Sequence, residues 1–303
     1  MRLVTFVQEK GSCLGILQEK AIYELNSTNE FLVGEEHEFP DNMISLLEGG
    51  DETLQRLRRL QNTIGKHKDN LNREGLAKSE NKIKLCAPIP HPRKNIVCLG
   101  VNYAEHANET KHDLPKLPIF FTKPPTSVIG PYDPIILPKS SSQIDYEAEL
   151  AFVIGKEGKN ITREKSWDHV AGYMVMNDVT ARDLQRNHQQ WYKGKGLDTF
   201  APMGPQLVTK EEVPDPGNLR IASYLNGNKM QDSNTRNLIF GIPSIISSLS
   251  ADMTLEVGDI VATGTPSGIG HTRNPPVYLK PNDVVEVMVE QIGTIRNSVS
   301  SYI

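Results

Sequence analysis

The segment Asp145-Tyr146-Glu147-Ala148-Glu149-Leu150-Ala151-Phe152-Val153-Ile154-Gly155 has the composition of a buried β-strand with two carboxylates near its start. Side chains alternate between the two faces of a strand, so Glu147 and Glu149 are predicted to point to the same face. The opposite face is predicted to pack in the core and carries Tyr146, Leu150, Phe152 and Ile154.

Two carboxylates on one face of an apolar strand repel each other and lose hydration, and a cation between them removes both costs. Oxygen ligands of this kind suit Mg²⁺, Mn²⁺ or Ca²⁺. The alternative is an edge strand whose acidic stripe faces water, which is the usual situation of acidic side chains. The segment by itself leaves both interpretations open.

Composition indicates an ordinary globular protein with one large domain or two unequal ones. The chain has 303 residues, of which 38% are hydrophobic and 23% charged, and its net charge of −4 gives no reason to expect nucleic acid as a partner. No apolar run is long enough for a membrane span or a signal peptide. The three cysteines form no Cys-x-x-Cys pair, which fits reduced thiols and a cytoplasmic location.

Residues 1–85 are predicted to form a small separate α/β unit. Short strands are expected at 3–7, 14–18 and 21–25, and Asp41 is a potential cap for a helix over 43–47. The spacing of apolar residues predicts an amphipathic helix over 53–64, followed by a polar stretch over 65–82. The proline-rich segment 88–92 is predicted to be a stiff linker, so the second domain is expected to cover residues 86–303.

The second unit is dominated by short strands with few helices, which indicates an α+β or mainly β architecture. Asn226-Gly227 predicts a tight hairpin turn. Helices are expected at 103–109, 182–190 and 243–249. Strands are expected at 95–99, 119–122, 135–137, 147–154, 173–177, 206–208, 220–225, 229–232, 259–263 and 284–289.

Three further polar groups have chemistry that the carboxylate strand could use. Asp178 follows an apolar stretch and is either a third oxygen ligand for a divalent cation or the cap of the next helix. His106 and Glu109 lie three residues apart, which places them on one helix face either as a proton-transferring pair or as an exposed helix pair. Lys195, next to glycines, can neutralise an enolate or simply lie in a solvated loop.

A glycine-rich segment, Thr263-Gly264-Thr265-Pro266-Ser267-Gly268-Ile269-Gly270, follows a predicted strand. Its backbone N–H groups could receive an anion, although an unliganded turn fits the composition equally well. It lacks the Gly-Lys-Ser/Thr ending of a phosphate loop, so nucleotide binding is not predicted.

Taken together, these stretches resemble the fumarylacetoacetate hydrolase family in order and spacing. The resemblance covers about residue 85 to the end and implies a mixed β-roll with flanking helices, a homodimer, and a small 2-oxo carboxylate substrate. The matching stretches are 99–106, 145–150, 177–183, 195–199 and 263–270.

The resemblance also implies roles for individual residues. Glu147, Glu149 and Asp178 correspond to the ligands of Mg²⁺ or Mn²⁺. His106, Glu109 and Lys195 correspond to the catalytic residues, with His106 and Glu109 on a lid. The positions that correspond to substrate contacts are Gln185, Thr265, Gly264 and, in a weaker role, Lys123.

One departure bears on specificity, because many family members carry Arg or Lys where this chain has Val101. The predicted activity is metal-dependent C–C bond cleavage in a 2-oxo or β-dicarbonyl carboxylate, either oxaloacetate decarboxylation or acylpyruvate hydrolysis. Isomerisation of a hydroxy-diene-dioate, which needs only proton transfer, is the first alternative. A non-catalytic metal- and ligand-binding protein is the second.

Overall fold

The structure is a computed structural model that describes residues 1–9, 11–34, 38–111 and 113–302. The α-helices are α1 (Leu25–Val33), α2 (Met43–Glu48), α3 (Gly50–Arg73), α4 (Ala104–Glu109), α5 (Arg182–Asn187), α6 (Tyr192–Lys195) and α7 (Ile242–Leu249). The strands are β1 (Arg2–Gln8), β2 (Gly11–Gln18), β3 (Ala21–Glu24), β4 (Ala77–Ser79), β5 (Ile96–Gly100), β6 (Ile119–Lys123), β7 (Val128–Ile129), β8 (Ile135–Leu137), β9 (Ile144–Asp145), β10 (Ala148–Ile154), β11 (Val170–Asn177), β12 (Thr180–Ala181), β13 (Ala201–Thr209), β14 (Arg220–Leu225), β15 (Asn228–Asn234), β16 (Ile260–Ala262), β17 (Val284–Val289) and β18 (Gly293–Ser301).

Two large open sheets and a set of helices make up a mixed α+β fold, as the sequence predicted. The larger sheet has the order β4-β3-β2-β1-β13-β11-β10-β16-β5-β6, with β7 added beside β13. The second sheet has five strands in the order β15-β14-β17-β18-β8, and β9 pairs with β12. Most pairs are antiparallel, but β16 with β5, β13 with β7 and β18 with β8 are parallel, so both large sheets are mixed.

Strand β10 lies inside the larger sheet, between β11 and β16, and every one of its residues is buried. Leu150 and Phe152 pack in the core shared with the five-stranded sheet and α7, as the alternation predicted. Ala151 and Val153, on the face that carries Glu149, pack in a second core with α2 and α3. The edge-strand interpretation is therefore wrong, because β10 has neighbours on both sides and packing on both faces.

The N-terminal strands continue the larger sheet. Residues Arg2 and Leu3 of β1 pair with Val208 and Leu207 of β13, so β1–β4 extend the sheet that contains β10. The division at residue 85 stays a prediction about domain organisation. Within the described residues, none of the helices combines the length and the apolar composition that a membrane crossing needs.

Two local predictions in this region are corrected. The cap of α2 is Asn42, whose side chain accepts a hydrogen bond from the Ser45 backbone N–H at 2.9 Å, and Asp41 does not have this role. Helix α3 also runs well beyond the predicted end at residue 64, with an irregular backbone at His67. It continues because Leu71 restores the apolar stripe and is fully buried.

Leu57 tests how α3 covers the sheet, because its side chain is fully buried in the second core. Leu57→Ala is expected to lower the free energy of unfolding by about 2–5 kcal/mol, through lost burial and the cavity left behind. Urea unfolding of wild type and variant measures the difference. The matched control is Arg59→Ala, on the exposed side of the same helix, with an expected change within about 0.5 kcal/mol. Equal effects of both variants would contradict the described packing of α3.

Candidate active site

Three acidic side chains meet at the point where strand β10 begins and strand β11 ends. The two strands are antiparallel and Ala148 pairs with Asn177, so the residues next to this pair are neighbours. The Asp178 backbone N–H donates to the Glu147 carbonyl oxygen at 2.9 Å. Glu147, Glu149 and Asp178 are all buried, and each offers a carboxylate oxygen within 4.8 Å of the others. We call these three residues the carboxylate cluster.

Buried cations neutralise two members of the carboxylate cluster. Lys195 Nζ donates to Glu147 Oε2 at 2.7 Å and to Asp178 Oδ2 at 2.6 Å. Lys123 Nζ donates to Asp178 Oδ1 at 2.6 Å, and Arg182 Nη2 lies 2.6 Å from Glu147 Oε1. Burial opposes ionisation of Glu147, but the charges of Lys195 and Arg182 outweigh it and lower its pKa to about 2.

Glu149 differs from the other two because no cation contacts it among the described residues. Its Oε2 accepts the Gly264 backbone N–H at 2.8 Å, whereas its buried Oε1 has no hydrogen-bond partner. Burial raises the pKa of Glu149 well above its usual range, and the charges of Asp178 and Glu147 raise it further. A free buried oxygen beside two other carboxylates is the donor set that a divalent cation takes, so these residues fit such an ion.

The pair His106 and Glu109 lies on the short helix α4, as predicted. His106 Nδ1 is 3.4 Å from Glu109 Oε2, and the other oxygen, Glu109 Oε1, accepts the Gly268 backbone N–H at 2.9 Å. Burial opposes ionisation of Glu109, but hydrogen bonds from His106, Thr272 and Gly268 outweigh it and lower its pKa. An ionised Glu109 therefore orients the imidazole and leaves His106 Nε2 available.

One cavity of about 570 Å³ brings most of the predicted residues together. Lys123 and Gly264 are not among the described residues that line it, since they contact Asp178 and Glu149 behind its wall. Their predicted contact with substrate stays a prediction. The predicted site residues that do line the cavity are His106, Glu109, Glu147, Gln185, Lys195 and Thr265.

The prediction assigned no role to Asp145 or Arg182, although both belong to the stretches that carry the resemblance. Asp145 Oδ2 accepts Arg182 Nε at 2.8 Å, and its Oδ1 accepts the Gly270 backbone N–H at 2.8 Å. Asp145 therefore fixes both the guanidinium beside Glu147 and the end of the glycine-rich segment. The sequence offered one signal, an acidic residue at the end of a strand that is buried. The structure shows that Asp145 is fully buried, which is unusual for an aspartate without a partner.

Val101 lines the cavity three residues before the start of α4, in a left-handed backbone conformation with φ of 54°. This conformation is unfavourable for a β-branched residue, so the surrounding structure holds it there. Its apolar side chain lines the cavity, as do Leu99, Phe121, Trp191 and Ile269.

The fold and the site agree with a family comparison. The model of the fumarylacetoacetate (FAA) hydrolase C-terminal family matches residues 95–300, and the chain belongs to this family. Oxaloacetate tautomerase YisK of Bacillus subtilis (strain 168) is 42% identical over 287 residues, which cover 94% of each chain. A mitochondrial oxaloacetate tautomerase, fahd2 of Xenopus laevis, is 49% identical over 223 residues, covering 73% of this chain and 70% of the relative.

Solved structures show the same architecture. A fumarylacetoacetate hydrolase from psychrophilic Exiguobacterium antarcticum has a TM-score of 0.83 and 34% identity, with full coverage of both chains. A maleylpyruvate hydrolase from Sphingobium sp. SYK-6, in complex with manganese(II) and pyruvate, has a TM-score of 0.75 and 30% identity over 99% of each chain. Because some relatives are named as mitochondrial, the cytoplasmic location of this chain stays a prediction, as does the homodimer.

The variant Glu149→Gln distinguishes the cost of a third buried carboxyl group in the metal-free protein from the contribution of that group to metal binding. Without metal, the variant is expected to melt a few degrees higher than wild type. A neutral amide avoids the cost that burial beside Asp178 and Glu147 imposes on a carboxyl group, which must either stay charged or take up a proton on folding. With Mn²⁺, wild type should gain stability and the variant should gain little. Thermal unfolding with Mn²⁺ or with chelator measures both effects.

The matched control is Glu286→Gln, at a partly exposed ion pair with Arg296. This change should leave the melting temperature nearly the same as in wild type, both with Mn²⁺ and with chelator. An equal stabilisation of wild type and Glu149→Gln by Mn²⁺ would show that Glu149 is not a ligand.

Proposed function

We propose that the protein is a divalent-metal-dependent enzyme that interconverts the enol and keto forms of oxaloacetate. The observation that carries the proposal is the placement of His106 and Glu109 in the same cavity as Glu147 and Lys195. A hydrogen-bonded imidazole is thereby combined with a cationic site suited to an enolate. The names of the relatives in Bacillus subtilis and Xenopus laevis support oxaloacetate as the substrate.

Tautomerisation moves one proton and breaks no bond between carbon atoms. The enol O–H loses its proton, C3 gains one, and the C2–C3 double bond becomes the C2–O double bond. His106 Nε2 is the group proposed to hold the proton at C3, because Nδ1 faces Glu109. Lys195 supplies positive charge beside the oxygen that becomes the enolate.

The metal is proposed to be Mg²⁺ or Mn²⁺, held by Glu147, Glu149 and Asp178. An ion held there would supply positive charge that polarises a bound 2-oxo acid and favours its enolate form. The manganese and pyruvate in the maleylpyruvate hydrolase structure support this choice of ion and ligand class. Gln185 and Thr265 line the cavity and are proposed to contact the substrate.

C–C bond cleavage, the activity predicted from the sequence, is the second candidate. The observation in its favour is that His106 and Glu109 also form a pair able to take a proton from water, as acylpyruvate hydrolysis requires. The maleylpyruvate hydrolase with 30% identity supports this chemistry. The names of the more similar relatives favour oxaloacetate tautomerisation, an activity that was not predicted from the sequence, over cleavage. A non-catalytic role is disfavoured because the carboxylate cluster and the His106–Glu109 pair are both intact.

Two coupled assays on freshly dissolved enol oxaloacetic acid distinguish the candidates. Malate dehydrogenase with NADH detects the keto form, and lactate dehydrogenase with NADH detects pyruvate from cleavage. We expect malate dehydrogenase to report keto formation well above the uncatalysed rate, with much slower pyruvate release and loss of both on adding chelator. Pyruvate release as fast as keto formation, or cleavage of acetylpyruvate at a similar rate, would favour C–C cleavage instead.

His106→Gln tests the proton-transfer step. We expect kcat for tautomerisation to fall about 10²–10⁴-fold, the usual contribution of a general acid–base group. Stabilisation by Mn²⁺ should be unchanged, because His106 is not a member of the carboxylate cluster. His91→Gln, at an exposed position, is the matched control and should keep full activity. A His106→Gln enzyme with wild-type kcat would exclude His106 as the proton carrier.

A further inference from the structure

A closed ring of hydrogen bonds lies on the cavity wall formed by α5 and the segment after the glycine-rich loop. Arg186 Nη2 donates to Gln143 Oε1 at 2.6 Å, and Arg186 Nη1 lies 3.4 Å from His271 Nε2. His271 Nδ1 lies 2.9 Å from the Tyr278 hydroxyl, and that hydroxyl is 3.4 Å from Gln143 Oε1. Gln143 is the residue that Arg186 contacts, so these four hydrogen bonds close the ring. Arg186 itself is an exposed residue.

The ring has one consistent direction. A guanidinium only donates, so His271 Nε2 must accept, and the proton of a neutral His271 is therefore on Nδ1. That proton is donated to Tyr278, whose own hydroxyl proton is donated to Gln143. The His271 and Tyr278 rings also stack, with centroids 6.2 Å apart. Arg186 is thus fixed through two of its five N–H groups, and the others are left for a ligand.

The charge of Arg186 is not neutralised by an acidic side chain among the described residues. Arg186 and His271 line the cavity, and Lys111 contributes a further positive charge. The two carboxylates that line the cavity are already engaged: Glu147 with Arg182 and Lys195, and Glu109 with His106. This wall therefore attracts an anionic group.

Arg186 is also one helical turn from the reacting end of the cavity. Arg182 and Arg186 are four residues apart on α5, so they lie on one face and about 6 Å apart along the axis. Arg182 contacts Glu147 of the carboxylate cluster. Arg186 is therefore displaced along α5 from the arginine that contacts the carboxylate cluster.

We propose that Arg186 binds the second carboxylate of the substrate and makes the enzyme selective for 2-oxo dicarboxylates over 2-oxo monocarboxylates. His271 and Tyr278 are positioning residues that hold the guanidinium against the cavity. The proposal rests on the proposed function, since it assigns the dicarboxylate class to the same site. It also explains how the site can hold a dianion although position 101 is Val.

The test compares wild type with Arg186→Gln and Arg186→Lys, using Mn²⁺-loaded protein. For Arg186→Gln, KM for oxaloacetate should rise about tenfold or more, as expected for a lost charge-assisted hydrogen bond, with kcat changed much less. Arg186→Lys keeps the charge but not the fork of donors, so its KM should be intermediate. Arg296→Gln removes an exposed arginine outside the cavity and is the matched control.

Binding of 2-oxoglutarate and pyruvate, measured by titration calorimetry, supplies a readout independent of turnover. Arg186→Gln should lose affinity for 2-oxoglutarate and keep its affinity for pyruvate, and Tyr278→Phe should show the same selective loss to a smaller extent. The proposal would be overturned if Arg186→Gln lost affinity equally for both acids, or if the wild-type protein bound neither 2-oxoglutarate nor pyruvate. A wild type that binds 2-oxoglutarate through Arg186 but turns over no oxaloacetate would contradict the proposed function and leave the assignment of Arg186 supported.

Discussion

The placement of opposite charges in the interior of the large sheet is the constraint on which the rest of the structure depends. Asp145 and the carboxylate cluster contribute four buried acidic groups, while Lys123, Lys195 and Arg182 contribute three buried cations. Among the described residues, the three cations contact Asp145, Glu147 and Asp178, so Glu149 is the one acidic group without a cationic partner. Each cation comes from a different element, respectively β6, α6 and α5, so the charges are compensated only when these elements are assembled. Leaving one of these charges unpaired would cost about 3–5 kcal/mol.

The scaffold around this interior holds the charges in place from both faces. On one face of β10, the five-stranded sheet and α7 complete the first core, and on the other, α2 and α3 complete the second. Glu149 shares a strand with Ala151 and Val153, so its position is set by packing that lies far from solvent. The N-terminal residues, which carry no identified chemistry, thereby support the strand that presents the carboxylates.

Local patterns in the sequence predicted what depends on neighbours in the chain. Strands β14 and β17 have the predicted bounds, and the turn at Asn226-Gly227 has the positive φ angles, 53° and 79°, that this pair favours. The resemblance brought Glu147, Glu149 and Asp178 to one site, and the structure places them together. By contrast, the pairing of β1 with β13 joins residues about two hundred positions apart, and no local periodicity carries it. The Asp145–Arg182 ion pair and the Arg186 ring were missed for the same reason. Their members are distant in the sequence, and the spacing of residues along the chain does not indicate which distant residues will be in contact.

Glu109 has a consequence for how the site opens. One of its oxygens faces His106 and the other receives the Gly268 N–H, so a single carboxylate ties helix α4 to the glycine-rich loop. Because His106 and Glu109 both lie on α4, the imidazole and the carboxylate that orients it form one unit, and of these two contacts only the one with Gly268 crosses to the loop. A shift of α4 away from the cavity would therefore break the Gly268 contact and keep the pair intact. The glycine-rich loop thus sets how far this pair lies from Lys195 and the carboxylate cluster, while the orientation of the imidazole is set within the helix itself.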